Sequence, residues 1–182
     1  MKKISMVYGF CIMTLAGMPS SFAQNNNRYH YQDDRVRISI TPRTPEMTTA
    51  FYYARGFPAK VIDTLKKQCF LTITIRNTSR DTLQHNIGNW VITSSGKPVM
   101  PLTRQYWFDW FRSQNIPLSI QSTFRWTLLP DALDFFPGEG EGGNIILPYT
   151  DQPFSVQMKF KLISNNMTQP FNVTFPEVRC AR

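Results

Sequence analysis

Apolar and polar residues alternate along this chain in several short runs. In Cys69–Asn77, Leu71, Ile73 and Ile75 fall on one side and Thr72 and Thr74 on the other. A period of two is the signature of a half-buried β-strand. The run stops at a polar Asn-Thr-Ser-Arg-Asp turn. Arg35–Thr41 repeats the pattern with Val36, Ile38 and Ile40, and Pro42 ends it. Trp90–Thr93 predicts a short strand, Ser94–Lys97 a hairpin turn and Pro98–Leu102 a returning edge strand, where proline is tolerated. Thr123–Leu128 alternates too, which predicts a strand with Phe124, Trp126 and Leu128 inward. Pro130–Pro137 reads as a loop, and Pro137–Gly143 as a glycine-rich acidic turn before a strand at Asn144–Leu147. Phe154–Leu162 gives the cleanest alternation, and Phe171–Phe175 echoes it near the end.

Two segments break the period of two. Thr44 can cap a helix that has Pro45 at its first position and Glu46 in its first turn, where a negative charge suits the helix dipole. Met47, Ala50, Phe51 and Ala54 then recur at helical spacing, and Gly56 stops the run. Val61, Ile62 and Leu65 share a second helical face. Residues 44–68 therefore predict two short helices joined at Arg55–Pro58. In residues 103–113, Tyr106, Trp107, Trp110 and Phe111 lie one turn apart and face one way on a third helix.

Seven or eight short strands without long interleaved helices predict a mainly β, antiparallel sandwich over residues 35–182, with helical insertions at about 44–68 and 103–113. In strand order and spacing, Arg35–Cys180 resembles the immunoglobulin-like sandwich domains that bacteria export. The run from Phe136-Pro137-Gly138 to Leu147-Pro148 is similar to the glycine hairpin before a late core strand in such domains. The cysteines depart from antibody-type domains, in which a bridge between two core strands packs on a tryptophan. The resemblance implies an architecture and transfers no functional residue.

Residues 1–23 read as a secretory leader. Lys2 and Lys3 precede an uncharged apolar stretch, Met6–Met18, and Ser21-Phe22-Ala23 offers a small-x-small cleavage site. Tyr8-Gly9-Phe10 before Cys11 lacks the small residues of a lipidation site. Cleavage would leave 159 residues beginning at Gln24, with residues 24–34 a polar, flexible arm. No later stretch is long and apolar enough to cross a membrane. Removing Lys2 and Lys3 from 20 basic residues leaves 18 against 12 acidic, a net charge of +6. The basic residues are scattered in sequence, so nucleic acid is not an expected partner. Loss of the leader removes Cys11 as well. Cys69 and Cys180 then form an even pair in an exported chain, which predicts one disulfide.

Catalytic motifs are absent from the sequence. His30 and His85 lie in polar surroundings away from any recognisable nucleophile. Glu139 and Glu141, set among glycines, fall short of the roughly six to eight oxygens calcium takes. No metal or cofactor is expected, and the chain is not expected to be an enzyme. The aromatic helix is the distinctive feature. Aromatic residues and arginine anchor interfaces most often, which makes Arg104, Tyr106, Trp107, Trp110, Phe111 and Arg112 a candidate interface. The expectation is an exported, periplasmic or secreted, non-catalytic binding module whose partner is another envelope protein. The alternative is a carrier of a small apolar ligand, with the aromatic helix as its lid.

Overall fold

The structure is a computed structural model that describes residues 23–25, 28–165 and 167–182. The expected leader lies outside the described residues up to residue 22. In chain order the strands are β1 (Ala23–Asn25), β2 (Arg28–Gln32), β3 (Val36–Arg43), β4 (Cys69–Asn77), β5 (Thr82–Asn86), β6 (Val91–Ser94), β7 (Lys97–Pro98), β8 (Ala132–Phe135), β9 (Gly140–Leu147), β10 (Phe154–Ser164) and β11 (Met167–Val178). The helices are α1 (Pro45–Tyr53), α2 (Ala59–Leu65), α3 (Arg104–Ser113) and α4 (Leu118–Arg125).

The protein is mainly β, built from antiparallel sheets. One sheet has the order β1-β2-β3-β4-β9. In the other, β11 follows one edge of β10 while β5 and β6 lie end to end along the opposite edge. A single 3-10 turn at Ile87–Asn89 separates those two strands, and β8 and β7 extend them outward. Inward residues of both sheets, such as Ile38, Leu71, Ile73, Val156, Met158 and Phe175, form one buried cluster. The expected likeness to immunoglobulin-like domains goes no further than two packed antiparallel sheets.

The helices build a second core. Cys69, Phe70 and Leu71 are buried in succession, as are Ile145, Ile146 and Leu147. Alternation sends Leu71, Ile145 and Leu147 into the sandwich, and Phe70 and Ile146 out beneath the helices. A strand end covered on both faces reads as an unbroken apolar run for this reason. Helix α1 begins as its sequence predicts, with the Thr44 hydroxyl accepting from the Met47 N–H. It buries Thr48 and Tyr52, however, a face one residue round from the expected Met47, Phe51 and Ala54. Helix α3 belongs to this second core. Its Trp107 and Phe111 rings pack on Phe124 of α4, at 5.6 and 5.0 Å between centroids.

Four further expectations need correction. Residues 123–128 are not a strand. Pro117 sets up α4, which buries Gln121 and Phe124 at helical spacing, and Leu128 follows one turn later. The alternation of Phe124, Trp126 and Leu128 was a coincidence of that period. Arg28–Gln32, placed in a flexible arm, is a strand paired with β3, and Tyr31 anchors it in the core. Ala132–Phe135, read as loop, pairs with β5. The glycines after Pro137 do not all serve a turn. Gly138 alone of them has a positive φ, of 82°, and β9 begins at Gly140. Gly143 is needed for space, because a Cβ there would lie 2.3 Å from the Leu129 backbone nitrogen. Residues 127–129 cross the edge of β9 at that point: Asn144 N–H donates to the Thr127 carbonyl and Leu129 N–H to the Asn144 carbonyl.

Candidate functional site

The crossover leaves a groove on the outer face of the five-stranded sheet. It lies between α1 and the end of α4 and has a volume of about 470 Å³. Its floor is polar and internally bonded. Arg43 Nε donates to the Thr72 hydroxyl at 2.8 Å, and that hydroxyl donates to Asn144 Oδ1 at 2.7 Å. On the helix side the Tyr52 and Thr127 hydroxyls lie 2.9 Å apart. Thr127 donates to the Phe124 carbonyl, which leaves Tyr52 as the donor of the pair. Burial pushes the Tyr52 phenol well above its ordinary pKa, so this donor stays protonated.

The rim is apolar and open to solvent. Met47 and Phe51 stand on one side because the face of α1 is turned away from them. Trp126 stands on the other and is 83% exposed. The Arg55 guanidinium sits 3.5 Å over the Phe51 ring and fixes it by a cation–π contact. An exposed indole beside other apolar side chains and above fixed hydrogen-bonding groups is the composition of a binding surface. Gly142 borders the floor with no side chain, so the sheet backbone is open to a bound molecule there.

The residues expected as an interface on α3 are divided. Trp107 and Phe111 are fully buried and belong to the second core. Trp110 is half-buried, Tyr106 is 48% exposed, and Arg112 forms a surface ion pair with Asp109. Arg104 turns to a different cleft of about 570 Å³, lined by Trp90, Ile92, Val99, Met100 and Leu102. Its Nε is buried there without a hydrogen-bond partner. Neither cleft is lined by Trp107 or Trp110, and α3 meets the second one through Arg104 and Gln105 at its first turn. The sequence signal for the groove was available in Phe124 and Leu128. Four residues apart on one helical face, they place Trp126 on the opposite side.

His85 lies inside the sandwich, stacked on Phe135 at 5.6 Å, and neither ring nitrogen has a hydrogen-bond partner. Burial pushes its pKa down from 6.5 to about 4, against a weaker upward pull from Asp131 and Asp134. Above pH 6.5 the imidazole is neutral in both folded and unfolded chains. Below it the unfolded chain takes up the proton and the folded one does not, so stability falls between pH 6.5 and 4. By the measure of 1.36 kcal/mol per pKa unit, the loss approaches about 3 kcal/mol. His85→Leu is expected to remove this acid limb and to raise the melting temperature at pH 7, since two unpaired polar atoms leave the core. Melting curves from pH 7 to 4 check it; an unchanged slope in the variant would refute the assignment.

Among the described residues, no three His, Cys, Asp or Glu side chains gather as a metal site would require. Glu139 instead accepts from the Phe136 N–H, and Glu141 from the Gly142 N–H. No described helix is long and apolar enough to cross a membrane.

No protein-family model matches the chain, and no curated protein matches it. Among solved structures, a protein described as a lipoprotein (YcdA) from Bacillus subtilis subsp. subtilis str. 168 is similar at 12% identity and a TM-score of 0.42. The match covers 80% of this chain and 37% of that one, so this chain spans little more than a third of that protein's length. At that TM-score the fold and the site rest on this chain's own geometry.

Proposed function

We propose that this protein is an exported, non-catalytic binding module of the cell envelope, and that it engages its partner in the groove between α1 and the end of α4. The exposure of Trp126 is the observation behind this reading. A tryptophan rarely stands in solvent beside other apolar side chains unless that surface is covered in use. The leader pattern and the disulfide support export to an oxidising compartment, the periplasm or beyond. The non-catalytic reading is supported by His85, whose ring nitrogens have no hydrogen-bond partner to orient them as a general base.

Oxidative footprinting tests the groove directly. In the presence of envelope extract, Trp126 is expected to be protected from modification, and Trp126→Ala to reduce retention of the protein on envelope fractions about tenfold. The substitution is on the surface, so its melting temperature should stay within a degree or two of wild type. Equal labelling with and without extract would sink the proposal. The second cleft supports a second reading, a carrier of a small apolar ligand. Its apolar walls and the buried, unpaired Nε of Arg104 suit such a molecule.

A further inference from the structure

Basic residues that are scattered in the sequence gather on the outer face of the five-stranded sheet, next to the groove. Val36, Ile38 and Ile40 of β3 and Ile73 and Ile75 of β4 fill the core. Alternation therefore turns Arg37, Arg43 and Arg76 outward, and Arg28 and His30 of β2 lie on the same side. Strands β2, β3 and β4 contain no acidic residue. Glu141 of β9 pairs with Ile75, on the opposite side of the sheet. The nearest acids of the β2–β3 turn, Asp33 and Asp34, are taken by Arg35.

Arg37 and Arg76 are direct cross-strand partners. Like charges in that position destabilise a sheet. Among the described residues neither forms an ion pair, and Arg37 Nε donates only to the Gln32 side chain. An anion bound across the two guanidinium groups would relieve the repulsion. Between this pair and the groove the face is rich in hydroxyls. Ser39, Thr41, Thr72 and Thr74 lie there, and Gly140 and Gly142 add no side chain. Arg76 stands four residues from Thr72, roughly 13 Å along the strand.

We propose that this face binds an acidic polysaccharide, with sugar carboxylates on Arg37, Arg76 and Arg43 and a sugar ring stacked on Trp126. The inference rests on the groove reading above and gives its ligand a chemical class. Sugar hydroxyls both donate and accept, as the threonine hydroxyls do. The nonpolar face of a sugar ring suits an exposed indole. An acidic peptide fits less well. Peptides join sheets by edge pairing, and beside the groove the edge of β9 is already bonded to residues 127–129 at Asn144. Single-stranded nucleic acid requires successive stacking rings, whereas the strip between Trp126 and Arg76 holds hydroxyls.

Calorimetric titration of the purified protein with alginate oligomers tests this, with dextran, polyaspartate and oligothymidine as the other arms, each at low and high salt. Alginate is expected to bind and dextran not. The affinity should weaken with salt and fall about tenfold both in Arg37→Gln/Arg76→Gln and in Trp126→Ala. Thermal melts confirm that these surface variants remain folded. The inference is overturned if alginate fails to bind at low salt. It is also overturned if polyaspartate or oligothymidine binds as tightly, or if the arginine changes leave alginate affinity unaltered. Those results leave the groove reading intact, because it stands or falls with protection of Trp126 in envelope extract.

Discussion

Replacing Trp107 with alanine is expected to destabilise the protein by about 3–5 kcal/mol, the range for truncating a large buried aromatic. The indole is fully buried. It lies 5.6 Å from the ring of Phe124, 5.9 Å from Trp110 and 6.2 Å from Phe111. Its Nε1 has no hydrogen-bond partner, so the loss is one of packing. A small domain has about 5–15 kcal/mol of stability in all, which puts the variant near the edge of unfolding at 37 °C. Tyr106→Ala, one residue away and half exposed, should cost under about 1 kcal/mol. Urea denaturation of the two variants decides the matter, and similar midpoints would contradict the packing of α3. The contrast also determines which variants can probe binding. A loss of binding in Trp107→Ala would report unfolding, while Trp126→Ala removes an exposed ring and leaves the core intact.

Strands β3, β10, most of β4 and the Phe171–Phe175 stretch of β11 could be read from sequence because alternate residues along them face the sandwich. For them the period of two in the sequence is the period of burial. Helix α1 was legible at its start, where the Thr44 hydroxyl accepts from the Met47 N–H, and α3 by the spacing of its aromatic residues. Failure came where another constraint overrode the pattern. Strand β2 hides a single fully buried residue, Tyr31, among polar neighbours, so hydrophobicity alone does not mark it. Strand β9 has three glycines in eight residues, and Gly143 is needed because a neighbouring segment crosses there, which is a fact of tertiary structure. Helix α4 has eight residues, too few to separate a period of 3.6 from one of two when Phe124, Trp126 and Leu128 satisfy the latter. That ambiguity concealed the exposure of Trp126, though not the groove as a whole. Its residues come from Arg43, α1, β4, residues 126–127 and β9, and no spacing in the sequence links them. Arg37 and Arg76 likewise become neighbours only once the register of β3 against β4 is fixed.

Removing the Cys69–Cys180 bridge is expected to cost about 2–5 kcal/mol. The cysteines are 111 residues apart in sequence, and their Cα atoms are 5.3 Å apart in the fold. Chain-entropy arguments place the stabilisation mainly in the unfolded chain, which the bridge keeps from expanding, and a loop of this length gives about 4–5 kcal/mol. The native contacts around the bridge support that division. Strand β11 is held along β10 from Phe154↔Val178 to Ser164↔Met167 without the sulfurs. Cys69 remains paired to Leu147 through its backbone. The Cys69→Ser/Cys180→Ser variant should therefore keep the native circular dichroism spectrum, unfold at lower urea, and show a steeper dependence on urea, since its unfolded chain exposes more surface. Wild type in a strong reductant should follow the same curve. If the oxidised and reduced proteins unfold together, the bridge contributes nothing. A lost native spectrum in the variant would instead mean that the sulfurs hold the two sheets in place, and that the sandwich core is too weak to define the fold by itself.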